Sequence, residues 1–402
     1  MSNPSLLNIP YRFKASKLYS QIPDSGLGDF VVSRSASNAA TRVNASGFIE
    51  TVADNVPRLD YPLGGIANGC PALLVEPSAQ NFVIQSEAFN TAGVWTLTNA
   101  TAPNTTATFD PFGNTNADIF TANAAFGRTQ SNNIITGATG NYTMSCFIKG
   151  ISGVAAVGSL VVGRGVGFTI TSGGVITVNA PSGYTQADSI GIQNYGNGWY
   201  RVFATRNYPN ETHGLLIASS VSGNSFYIFG AQVEAGSVAT SYIPTTTAPI
   251  TRGADLVSKT GVSSLIGQTE GTIYLEVEQD PLNRDIFSLN TGTGNSIIFY
   301  KNSSNIVNAR LYANSSTIFT IANAVATNGF VKIALAYKAG DSAMVINAGT
   351  AQTSASSFIF SSALSLVSLT PSWFTNAGFT KIRAIGLYPT RLTNAQLQAL
   401  TT

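Results

Sequence analysis

The sequence predicts an all-β protein, on three observations: sparse charge, an abundance of small polar residues, and apolar side chains recurring at every second position. Charged residues make up 10% of the 402 positions and hydrophobic ones 44%, whereas an ordinary soluble domain carries about 25% charge. The surface is therefore finished with Ser, Thr, Asn and 38 glycines. Ser, Thr and Asn compete for backbone hydrogen bonds inside a helix, and Gly adds backbone entropy there. The same residues suit short strands joined by tight turns.

The length exceeds what a single core organises, so two or three domains are expected. Residues 1–80 show no helical period, and Pro10, Pro23, Pro57, Pro62, Pro71 and Pro77 interrupt them. Short extended pieces are expected at Asp29–Arg34 and Gly47–Val52, within an irregular segment ordered by its neighbours. Residues 81–250 are expected to form a first sandwich. Tyr142, Met144, Cys146 and Ile148 share one strand face, with Thr143, Ser145 and Lys149 opposite. Trp199–Thr205 and Phe226–Glu234 read as further strands, and Asn197-Gly198 and Ser222-Gly-Asn224 as turns between them. Tyr242–Pro249, with its threonines and two prolines, and then 251–264 read as linker. Residues 265–402 are expected to form a second sandwich. In it Ile273, Leu275 and Val277 alternate with polar neighbours, as do Val331, Ile333, Leu335 and Tyr337. One short helix closes the chain: Thr393 and Gln396 make a capping-box pair, and Leu392 and Leu397 occupy the staple positions.

The net charge of +2, from 21 basic and 19 acidic residues without a basic run, argues against nucleic-acid binding, which needs a clustered cationic face. No stretch reaches the roughly 20 apolar residues of a membrane span, so no membrane partner is expected. Met1–Pro10 lacks a charged region followed by an apolar one, and no signal peptide is expected. Cys70 and Cys146 are too far apart in sequence for a disulfide framework or a metal site.

Thr41–Glu50, Asn55–Tyr61 and Cys70–Pro77 together resemble a module of tailed-bacteriophage fibre and structural proteins. Asn81–Phe89 with Trp95, Gly196–Arg201, Gly230–Glu234 and Thr240–Thr245 resemble a jelly roll of the carbohydrate-binding-module kind. The run Ile385–Leu397 is similar to the end of a concanavalin-A-like or laminin-G-like sandwich. The resemblance covers nearly all of the chain after about residue 28. It implies a non-enzymatic virion protein, a head (capsid) fibre or a tail fibre or spike, assembled in the host cytoplasm and displaying glycan-binding sandwiches for adhesion. It further implies a homotrimer docked on a capsid or tail protein through residues 1–80. A capsid decoration without glycan binding, a polysaccharide depolymerase and a bacterial adhesin are the alternatives.

Sugars are held by aromatic faces with amides and carboxylates on their hydroxyls; Tyr208, Trp373 and Trp95 are the aromatic candidates, while Trp199 is expected in the core. Asp110, Asn114 and Asp118, around the turn Asp110–Gly113, are candidate ligands for a structural calcium, with turn formation the competing explanation; no other cofactor is expected. Glu276 and Glu278 share a strand face, but Pro281 stands where a third acid of a glycan-hydrolase pattern is required. The single histidine, His213, is expected in a polar loop without a nucleophile elbow nearby. Gly163–Gly167 misses the dinucleotide-binding spacing and is expected to be a turn or bulge.

Overall fold

The computed structural model describes the chain except residues 1–2, 15, 36–39, 133–134, 279–283, 292–293, 303, 305, 325–328 and 371–379. It is all-β: two sandwiches of antiparallel sheets and one short terminal helix. The alternation expected from sequence is what builds them. Ile273, Leu275 and Val277 are buried on one face of the strand Glu270–Glu278, opposite Val331, Ile333 and Leu335 of Phe330–Lys338. Met144, Cys146 and Ile148 likewise face the core from Ile135–Lys149.

The first sandwich stacks two six-stranded sheets. One runs Trp95–Thr98, Gly127–Ser131, Leu216–Ser219, Ala156–Val162, Arg164–Ile170, Ile176–Asn179. The other runs Ala100–Thr101, Asp118–Ala122, Ser225–Ala235, Ile135–Lys149, Trp199–His213, Ser189–Gly196. Both sheets supply the core between them, with Phe120, Phe168 and Phe226 in contact at its centre. Gly163, at φ 67°, turns the chain between Ala156–Val162 and Arg164–Ile170, so the glycine-rich run opens on a hairpin turn and continues as strand.

The second sandwich departs from the expected division. Residues 3–75 are not a separate irregular segment; they supply strands to this sandwich. Leu6–Asn8 and Ala72–Val75 both pair with Thr380–Tyr388, and Arg58–Asp60 pairs with Ala72–Val75. Phe30–Ser33 pairs with Leu256–Thr260 in the opposing nine-stranded sheet. Leu6, Leu18, Phe30, Leu73 and Val75 are buried in the same core as Ile273 and Ile385. The prolines that break local periodicity sit between these strands and do not prevent pairing with distant ones. Nor is 251–264 a free linker. Ile250–Arg252 pairs with Ala79–Asn81, and Leu256–Thr260 lies inside a sheet. The first sandwich is thus inserted between Ala72–Val75 and Leu256–Thr260, and its entry and exit chains run side by side as a two-stranded stem.

Charge locks the base of that stem. Arg58 donates to Glu76 Oε2 at 2.7 Å and to the Asp255 carboxylate; Arg34 donates to Asp255 Oδ1 at 2.8 Å; and Arg252 Nη1 lies 3.5 Å from Glu76 Oε2. All five side chains are buried. Burial alone pushes the Glu76 carboxyl up, but Arg252 and Arg58, with hydrogen bonds from Ser241, outweigh it and hold it at about 2.

The terminal helix Asn394–Leu400 carries the expected cap. The Thr393 hydroxyl accepts from the Gln396 amide, and the Gln396 side chain accepts from the Thr393 N–H. Leu392 and Leu397 are buried together beneath it.

Candidate functional site

The residues expected to hold ligands are mostly occupied with the fold. Tyr208 is not in a surface turn: the strand Trp199–His213 continues through it, and its ring is 2% exposed. Its hydroxyl donates to Val162 O at 2.6 Å, and Tyr142 packs edge-on at 5.5 Å. Trp95 is 4% exposed, stacked beside Phe89 at 4.9 Å, with its indole N–H donating to Gln85 O. Neither offers a face to a sugar. Trp373 lies outside the described residues. Trp199 is buried as expected.

Asp110, Asn114 and Asp118 do not form a calcium cradle. Asp110 Oδ1 accepts the N–H groups of Phe112 and Asn114 at 2.7 and 3.0 Å, and Oδ2 accepts that of Asn116 at 3.3 Å. Asp118 accepts the Phe89 N–H at 2.8 Å, and Asn114 is exposed. The acids are spent on backbone amides, which is the turn explanation. Among the described residues no group of three or more His, Cys, Asp or Glu is placed to hold a metal. His213 ends a strand and does not sit in a loop; its Nε2 lies 3.4 Å from Arg206 Nη1. Glu276 and Glu278 do share a face, and each meets a cation on the neighbouring strand, Arg383 at 3.7 Å and Lys381 at 3.5 Å. These side chains are half-buried, with Lys381 also paired with Asp60 at 3.0 Å, so the expected solvated strand face is instead a partly buried set of ion pairs.

The candidate site lies elsewhere, where three pieces of chain meet at one end of the inserted sandwich. The loop 103–117 supplies the first. Its Asp110 turn, completed by Gly113 at φ 85°, holds the loop rigid and leaves the preceding Phe109 with 63% of its surface in solvent. The Trp199 indole pins the loop from below by donating to Phe109 O at 2.8 Å. The hairpin of Thr41–Val43 and Ile49–Thr51 supplies the second, presenting Phe48. At its tip the Asn44 side chain accepts from the Ser46 and Phe48 amides, and Gly47 has φ 82°. A Cβ at Gly47 would stand 2.8 Å from the backbone carbon of Gly64, so only glycine fits. The Ile49 N–H donates to Pro111 O at 2.8 Å and ties hairpin to loop. The third piece is the sheet edge. Lys149 ends its strand, and the adjacent Asn197-Gly198 turn has both residues at positive φ, 52° and 78°, the two-residue hairpin geometry that this dipeptide favours.

Between them is an open cleft of about 430 Å³, lined by Phe48, Thr106, Thr108, Phe109, Lys149 and Asn197 among others. That volume falls in the roughly 300–1,000 Å³ range of small-ligand sites. An exposed ring beside hydroxyl, amide and ammonium groups can stack on the apolar face of a sugar and bind its hydroxyls. A narrower crevice of about 70 Å³ runs along the seam between hairpin, stem and both sandwiches. Its charged groups are already engaged, Lys381 with Asp60 at 3.0 Å and Arg201 with Ser145 and Thr240. It is a packing seam.

No protein-family model and no curated protein matches this chain. Solved structures resemble about a third of it. They include the IT-sialidase CBM40 of Ruminococcus gnavus (16% identity over 35% of this chain and 86% of that one, TM-score 0.29). Domain 4 of AbnA, a GH43 extracellular arabinanase from Geobacillus stearothermophilus, is similar at 14% identity over 37% and 73%, TM-score 0.29. A heptameric SAP-like pentraxin from Limulus polyphemus is similar at 15% over 33% and 70%, TM-score 0.26. At these scores nothing about ligands transfers to this chain.

Proposed function

We propose that this chain is a non-enzymatic glycan-binding protein of a tailed-bacteriophage appendage, and that the cleft at Phe109 holds the sugar. The observation that carries the glycan reading is the cleft itself: an exposed aromatic ring on a loop held rigid by Asp110 and Trp199, facing Lys149, Asn197 and Thr106. A loop already tied by these hydrogen bonds has less backbone freedom to lose on binding, which favours recognition by so few groups. The virion reading is supported by the resemblance of Thr41–Glu50, Asn81–Phe89 and Ile385–Leu397 to fibre modules, together with the low surface charge. On this reading the protein is a homotrimer docked on a capsid or tail protein. The strands Leu6–Asn8, Phe30–Ser33, Arg58–Asp60 and Ala72–Val75 are built into the second sandwich, so docking belongs to the surface of that sandwich.

A glycan array tests the sugar, and Phe109→Ala tests the site. Binding of at least one glycan is expected, with affinity falling about tenfold or more in the variant, equivalent to roughly 1.4 kcal/mol of lost contact. Binding unaffected by Phe109→Ala would place the sugar elsewhere, and no binding across the array would favour a purely structural role. Cleavage is tested separately by a reducing-end assay on host polysaccharide. No product is expected; product that disappears on changing Glu276 and Glu278 together to Gln would make the protein a depolymerase.

A further inference from the structure

The cation of the cleft narrows the ligand, given that the cleft binds sugar at all. The Lys149 side chain lies against Gly198, with Nζ 5.9 Å from the centre of the buried Trp199 ring. Its ammonium donates to the Thr108 hydroxyl at 2.8 Å and, among the described residues, has no carboxylate within salt-bridge distance. Asp110, the one acid lining the cleft, has its oxygens taken by the amides of Phe112, Asn114 and Asn116. Burial pushes the Lys149 ammonium down from its ordinary value. A partly desolvated cation held by a neutral hydroxyl gains most from an anion, because an ion pair adds coulombic attraction that a neutral acceptor lacks and that grows as water is excluded.

We infer that the cleft selects an acidic sugar, whose anionic group meets Lys149 while its ring lies on Phe109 and its hydroxyls reach Asn197 and Thr106. A carboxylate and a sulfate ester share the chemistry that Lys149 recognises, and the test separates them. The whole chain is titrated with three probes: a glucuronate-terminated oligosaccharide, its carboxyl-reduced neutral counterpart, and the sulfated form of that neutral sugar.

The expected result is that one or both acidic probes bind about tenfold or more tighter than the neutral one, with the advantage shrinking as salt is raised. Whichever acidic probe carries the advantage identifies the anion. Lys149→Met keeps an apolar stem beside Gly198, so the melting temperature should hold, and the preference should vanish, with affinity falling much further for the acidic probes than for the neutral one. Lys149→Arg should retain the preference. If the neutral probe binds as tightly as both acidic ones, and Phe109→Ala weakens all three, the cleft binds sugar without selecting charge and this inference fails alone. If none of the three binds and the glycan array is also blank, the glycan reading falls and this inference with it.

Discussion

Individual side chains here are governed by whether the backbone leaves them a face to solvent. Tyr208 and Trp95 are the right residue type for a sugar platform, but each has its polar atom on a buried carbonyl and its ring against another aromatic. Phe109, a weaker type on paper, is exposed because Asp110 directs the following amides inward. Burial also sets titrations, those of Glu87 and, to about 6, Asp118 among them. The Glu87 carboxyl is pushed up to about 7, chiefly by burial and further by the Asp110 charge, against a hydrogen bond from the Tyr242 hydroxyl. Its ordinary value is 4.5. Between those values the folded chain holds a proton that the unfolded chain releases, so stability contributed by Glu87 is full below about 4.5 and is lost as pH rises through about 7. Thermal melting should therefore move upward as pH falls from about 7.5 to 5; Glu87→Gln should reduce that slope, most of all between about 6 and 7.5, above the range in which Asp118 titrates, and an unchanged slope there would reject the assignment. Glu76 acts oppositely. Held at about 2, it contributes stability that is lost as pH falls from 4.5 toward 2.

Elements were legible wherever the signal is local. Alternation at Ile273, Leu275 and Val277 and at Val331, Ile333 and Leu335 marks buried strand faces because side chains flip every residue. The Thr393–Gln396 box marks the helix start, and Thr393→Ala should cost about 1 kcal/mol, read by chemical denaturation. The turns Asn197-Gly198 and Asp110–Gly113 were visible too. What they assemble was not, since the cleft needs Phe48, Phe109, Lys149 and Asn197 brought together by tertiary pairing. A hint was available: an aromatic directly before an Asp-Pro turn is well placed to be exposed. Gly47→Ala should move the hairpin tip that carries Phe48. We expect weaker glycan binding together with a loss of stability of more than about 1 kcal/mol, because alanine is strained at φ 82° and its Cβ meets Gly64 backbone.

For the whole molecule the organising fact is insertion. Leu6 pairs with Leu387, and Val32 with Val257. The extended pieces Phe30–Ser33 and Ile49–Thr51 were legible, but pairings at such separations leave no local trace of the partner, which is why residues 1–80 read as a separate segment. Removing residues 1–80 should therefore unfold the second sandwich as well as any attachment, while residues 81–250 expressed alone should still melt cooperatively. A second sandwich that folds normally without residues 1–80 would contradict the topology. The stem base has its own test: Arg58→Met leaves Glu76 and Asp255 buried with fewer partners and should cost roughly 3–5 kcal/mol.

The central claim is that one composite cleft does the binding, and hydrogen–deuterium exchange of the whole chain with and without the tightest array glycan tests it most directly. Protection concentrated at residues 44–49, 104–110 and 196–198 is the predicted result. Protection confined to the second sandwich, with those segments unchanged, would contradict it.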